Sequence, residues 1–86
     1  MDLGLKGKRA VVSAASRGLG LATARALAAE GVHVTMNARS ADALHAAADQ
    51  VRADFGVEVT PVAVDFNSAE GRAAILEAAG QVDILV

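Results

Sequence analysis

The residues Ser13-Ala14-Ala15-Ser16-Arg17-Gly18-Leu19-Gly20 form the most chemically suggestive stretch of the chain. A short apolar run precedes them and a helical pattern follows, so the stretch reads as a turn leading into a helix. The first amides of that helix lack intrahelical partners, and with the positive end of the helix dipole they favour an anion. Gly18 and Gly20 would let a pyrophosphate approach the backbone closely. The same glycines would also serve a tight turn that only packs helix on strand. Their position between a buried strand and an amphipathic helix favours the anion site.

Two arginines extend the reading. A dinucleotide site without a 2′-phosphate uses an Asp or Glu about 20 residues past the glycine loop, on the ribose 2′-hydroxyl. Here the second strand ends in Asn37-Ala38-Arg39-Ser40, with no carboxylate. Arg39 there and Arg17 inside the loop suit a 2′-phosphate, which each could bind bidentately; otherwise both are ordinary solvated side chains. NADP is therefore expected over NAD. Asp65, at the end of a third strand, could accept from the adenine amino group, with Phe66 against the base. Equally, Asp65 could cap a helix. The candidate cofactor contacts are thus Ala14, Ser16, Arg17, Gly18, Leu19, Gly20, Arg39, Ser40, Asp65 and Phe66. His33 and His45 have no carboxylate spaced to orient them, and no donor cluster suggests a metal.

The elements that must position these residues alternate between apolar runs and 3.6-residue periods. Residues 9–14 read as a strand buried on both faces. A helix follows from Gly18 to Glu30, its inward stripe Leu19, Ala22, Ala26 and Leu27. Residues 32–36 form a β-branched second strand. Ser40 can cap a helix to Phe55, with Leu44, Ala47, Ala48, Val51 and Phe55 inward and Asp42, Asp49, Arg52 and Asp54 solvated. Residues 58–64 form a third strand, where Pro61 favours a sheet edge. Asn67 and Glu70 resemble a capping box opening a helix with Ile75, Leu76 and Ala79 inward. Residues 81–86 begin a fourth strand, and Gly31, Gly56 and Gly80 each follow a helix as left-handed caps. Right-handed crossovers then imply an α/β doubly wound parallel sheet of order 3-2-1-4.

Composition excludes other classes. The 86 residues are 53% hydrophobic and 21% charged, which is neither a disordered tail nor a linker. Net charge is −2 and only two residues are aromatic, giving no footprint or stacking platform for nucleic acid. Cysteine is absent, which removes disulfides, thiolate metal sites and cysteine nucleophiles. Met1-Asp2-Leu3-Gly4-Leu5-Lys6 does not read as a signal peptide, and no apolar run spans a bilayer. A cytoplasmic location is expected.

The glycine loop resembles the Thr-Gly-x-x-x-Gly-x-Gly motif of the short-chain dehydrogenase/reductase family, as Ser13-Ala14-x-x-x-Gly18-x-Gly20. The resemblance runs along the whole chain and is particularly to bacterial 3-oxoacyl-carrier-protein reductases and similar reductases. Leu5-x-Gly7-Lys8 resembles the approach to the first strand, Ala24 to Gly31 the end of the first helix, and Val82-Asp83-Ile84-Leu85-Val86 the fourth strand. Asp65 stands where the family has an acid beside the adenine. Ala14 replaces the motif's first glycine and fits the turn only if its φ stays negative.

The resemblance implies the N-terminal, NADP-binding Rossmann segment of an oxidoreductase, residues 1–86 being an incomplete domain. The parent would transfer a hydride between NADP(H) and a small carbonyl or alcohol substrate, and would be a homo-oligomer without nucleic-acid or membrane partners. The family's later Asn-Asn-Ala-Gly, Asn, Ser and Tyr-x-x-x-Lys elements do not occur in these residues, which hold no tyrosine, so the segment alone is expected to be inactive. The competing class is a non-catalytic sensor or regulatory module that binds NADP. An extended, epimerase-like relative would have one residue fewer between its first two glycines.

Overall fold

Four short strands alternate with three helices. In the computed structural model, which describes residues 4–86, the order is β1 (Arg9–Val12), α1 (Gly18–Ala29), β2 (His33–Ala38), α2 (Ala41–Phe55), β3 (Val59–Ala63), α3 (Ala69–Ala79) and β4 (Ile84–Leu85). All pairings are parallel and the strand order is β3-β2-β1-β4, as the crossover rule requires. Residues Met1 to Leu3, part of the stretch read above for a signal peptide, lie outside the described residues.

Alternation along β1 and β2 divides the core. Ala10, Val12, Val34, Met36 and Ala38 pack with Ala24 and Ala28 of α1 and with Leu44, Ala48 and Val51 of α2. Val11 turns the other way, to Ile75 and Ala79 of α3, with Val62, Val64 and Val82 around them. The expected α2 stripe is the observed one: Leu44, Ala48 and Val51 are buried, and Ala47 and Phe55 are partly so. Pro61 lies opposite Met36 on β3, an edge strand of this sheet, where the missing amide proton breaks no second ladder.

The α1 stripe differs from expectation. Ala24 and Ala28 are buried and Leu21 and Leu27 partly so, whereas Leu19 is 84% exposed and Ala22 and Ala26 face solvent. Small alanines at 24 and 28 let α1 settle closely on the sheet. On α3, Leu76 likewise points outward while Ile75 and Ala79 are buried. The N-cap of α3 is Ser68 rather than Asn67: Ser68 Oγ accepts from the Gly71 amide at 2.8 Å. The Asn67 amide is already taken by Asp65 Oδ1 at 2.9 Å, so it is not free for the Glu70 carboxylate as a capping box requires. Ser40 occupies the N-cap position of α2 without a side-chain cap bond. Gly31, Gly56 and Gly80 all have positive φ, but only Gly56 is a left-handed C-cap: Gly80 caps α3 with ψ −121°, and Gly31 follows Glu30, the C-cap of α1.

The outer face of α2 is less purely solvated than its charges suggest. Asp54 accepts from Arg25 of α1 at 2.8 Å and from Gln50 at 2.9 Å, and the Arg25 guanidinium lies 5.1 Å from the centre of the Phe55 ring. Arg52 pairs with Asp49 and donates to the Val59 carbonyl. His33 is a structural acceptor, its Nδ1 taking the Glu58 amide at 3.1 Å. Among the described residues no helix is long and apolar enough to cross a membrane.

Candidate functional site

The carboxyl ends of β1, β2 and β3 open on one cleft of about 870 Å³. Such crevices, outside the carboxyl ends of parallel strands where the strand order reverses, are where open α/β sheets bind ligands. The loop after β1 forms one wall. Ala14, Ser16, Arg17, Gly18, Leu19 and Gly20 all border the cleft there. Arg39 and Ser40 border it after β2, and Asp65 and Phe66 after β3. Three loops distant in sequence thus bring all ten expected residues to one place.

The two glycines have different reasons to be glycine. Gly18 has φ +62° with open space where a Cβ would stand, so its requirement is conformational. A Cβ on Gly20 would come within 2.0 Å of the Ala14 carbonyl oxygen, so its requirement is space. This close approach seats the first turn of α1 directly on the loop. Arg17, at the N-cap position, supplies no side-chain acceptor to the first-turn amides. The helix start is therefore uncapped beside a cleft.

Ala14 overturns its expectation. Its φ is +52°, in the left-handed region that costs a residue with a Cβ roughly 1–2 kcal/mol. The turn holds a conformation that glycine would adopt without this cost. Neighbouring bonds hold it there: the Ala15 amide donates to the Asn37 carbonyl at 2.8 Å, and Ser13 Oγ to the Val86 carbonyl at 3.2 Å.

The charged side chains remain available. Arg39 is 77% exposed and stands 3.6 Å from Asp65 Oδ2. Arg17 is exposed, with no ion-pair partner among the described residues. Asp65 uses its other oxygen in the turn to Asn67, so it caps a turn and not the α3 helix. Phe66 is partly exposed at the cleft, and its carbonyl accepts from Arg72 at 3.2 Å. Ser13, Asn37, Ala38, Ala43, Val64 and Asn67 also line the cleft and were not among the expected cofactor contacts. Of these Ser13 had a signal as the first residue of the glycine motif, and Asn37 as a polar residue within an otherwise buried strand.

A parallel 3-2-1-4 sheet with helices on both faces and a glycine turn at the end of its first strand is a Rossmann-type fold. The model of the short-chain dehydrogenase family matches residues 8–86, and the chain belongs to that family. It is 43% identical over 86 residues to the L-xylulose reductase of Mus musculus, covering 100% of this chain and 33% of that protein. Similarity to the glycine betaine reductase ATRR of Emericella nidulans is also 43%, over 95% of this chain and 7% of the relative. The crystal structure of L-sorbose reductase from Gluconobacter frateurii, complexed with NADPH and L-sorbose, superimposes with a TM-score of 0.95 at 45% identity. That match covers 99% of this chain and 34% of the reductase. The chain therefore spans about a third of the L-xylulose and L-sorbose reductases and 7% of ATRR.

Proposed function

We propose that residues 1–86 are the dinucleotide-binding portion of an NADP(H)-dependent oxidoreductase acting on a small carbonyl or alcohol. The observation that carries this reading is the convergence of Arg17 and Arg39 on a cleft whose β2 rim has no carboxylate. The cleft also offers groups suited to the rest of the cofactor. The uncapped start of α1, at Gly18 to Gly20, offers amides to a pyrophosphate. Arg39 and Arg17 would take the 2′-phosphate, with Ser40 alongside, and Asp65 and Phe66 the adenine. When bound, NADPH supplies the hydride; the protein supplies position and electrostatics. The NADPH of the L-sorbose reductase complex and the reductase names of both relatives support the same reading.

Calorimetric titration of the full polypeptide containing these residues tests the proposal. NADPH should bind at least about 10-fold more tightly than NADH, since one charge-assisted hydrogen bond contributes roughly 1.5–3 kcal/mol. Equal affinities would overturn the arginine assignment. Oxidation of NADPH by a carbonyl compound would separate an enzyme from a module that only binds NADP.

A further inference from the structure

We infer that Asn37 is a positioning residue that holds the two walls of the cleft in register for the adenosine end of the cofactor. Asn37 is 2% exposed and lies one residue before the end of β2. Its Nδ2 donates to the Val62 and Val64 carbonyls, both at 2.9 Å. Its backbone carbonyl accepts the Ala15 amide at 2.8 Å, a bond residue 37 can make whatever its side chain. One residue therefore ties the glycine loop and the β3–α3 loop to the same strand end.

The need for an amide at this point follows from where the ladder stops. β3 leaves the sheet after Ala63, which pairs with Ala38, so the next carbonyl, of Val64, has no regular cross-strand donor. In this part-buried position a carbonyl left without a donor would be unfavourable. A neutral side-chain amide carries two protons on one nitrogen and can serve two carbonyls at once. A hydroxyl has one proton, and a carboxylate none. The Asn37 side chain fixes Val64 and with it the entry of Asp65 and Phe66 to the cleft, while the β2 backbone at the same residue fixes Ala15 and so Ser16 and Arg17. Arg39 lies between these walls, two residues past Asn37.

The inference rests on reading the cleft as a nucleotide site, so its test separates the two. In the full polypeptide, 2′,5′-ADP probes the adenosine half and reduced nicotinamide mononucleotide the other half. Asn37→Ser keeps one donor, and Asn37→Leu keeps the approximate volume without any. Each should weaken 2′,5′-ADP binding about 10-fold or more, the affinity change corresponding to roughly 1.4 kcal/mol, and leave the mononucleotide within about twofold. Val51→Ala, in the α2 core away from the cleft, is the stability control. It should lower the urea midpoint as Asn37→Ser does, yet leave 2′,5′-ADP affinity within about twofold. If Asn37→Leu does not fold, the Asn37→Ser comparison decides. Wild-type affinity in folded Asn37→Ser, or an equal loss in Val51→Ala, would overturn the positioning role alone. No binding of 2′,5′-ADP by the wild type would overturn the nucleotide reading and this inference with it.

Discussion

At the amino end of the sheet, Arg9 reaches Glu58 at 2.8 Å, and its backbone amide is held by Asp83 Oδ2 at 2.9 Å. His33 accepts the Glu58 amide, and the Asp83 amide returns to the Arg9 carbonyl. These four residues stand at or just before the starts of the four strands and satisfy one another. At the carboxyl end the charges are arranged differently. Arg17 has no ionic partner among the described residues, and Arg39 stands 3.6 Å from a carboxylate that also serves a turn. Both ends lie on the same strands. One closes the sheet with local pairs; the other leaves cations, an uncapped helix start and a cleft. Arg17, unpaired among the described residues beside an uncapped helix start and a cleft, marks where a ligand is to be sought.

The largest expected effect tests the cleft end. Gly20→Val places a branched side chain where even a Cβ lies 2.0 Å from the Ala14 oxygen. Helix and loop must separate, at a stability cost of about 1–3 kcal/mol for overpacking. Dinucleotide affinity should fall by roughly 100-fold or more, since the amide cradle is displaced. Calorimetry and urea denaturation read both. A variant with native affinity would show that the seating of α1 on the loop does not shape the site.

Next in size is the contrast between two exposed arginines. Arg39→Ala should weaken NADPH about 10- to 100-fold and NADH little, because only NADPH carries the 2′-phosphate. Its unfolding midpoint should barely move, since an exposed ion pair contributes about 0–1 kcal/mol. Arg9→Ala should do the reverse: affinity for both cofactors unchanged, stability lower by up to about 1 kcal/mol. If the two variants behave alike in cofactor titrations, the two ends do not differ in function.

How much of this was legible in sequence depends on side-chain size. The α2 stripe could be read because Leu44, Val51 and Phe55 mark its phase. The α1 phase could not, because alanines occupy both its buried and its exposed faces. Strand order followed from alternation and handedness, and the ten cleft residues followed from loops at the strand ends. The positive φ of Ala14 was not legible. It is set by the Asn37 carbonyl, which holds Ala15, and by the nearby Gly20 backbone, contacts that local pattern does not display. Asn37 itself meets carbonyls 25 and 27 residues later in the chain.

Ala14→Gly sharpens the comparison by acting on stability at the cleft end. Glycine takes φ +52° without the Cβ conflict, so the folded state should gain about 1 kcal/mol net of glycine's greater freedom when unfolded. NADPH affinity should stay within about twofold, because the loop already has this conformation. A lower urea midpoint would mean that the alanine side chain makes a compensating contact.

The smallest effect belongs to the helix pair that packs on the sheet. Asp54 accepts from Arg25 and Gln50, and the Arg25 hydrogen bond first, then that of Gln50, holds its carboxyl below the ordinary 3.8. A carboxyl with a lowered folded-state pKa favours folding in its charged form. Its contribution is therefore complete above pH 3.8 and is lost as pH falls through the lower folded value. Asp54→Asn removes the titrating group, so the stability gap between wild type and variant should be constant from about pH 7 to 5 and shrink below 3.8. Urea midpoints at half-unit steps of pH would measure it. Because both side chains are about a third exposed, added salt should narrow the gap at neutral pH. A gap that stays constant down to pH 2.5 would show that the Arg25–Asp54 contact does not couple protonation to folding.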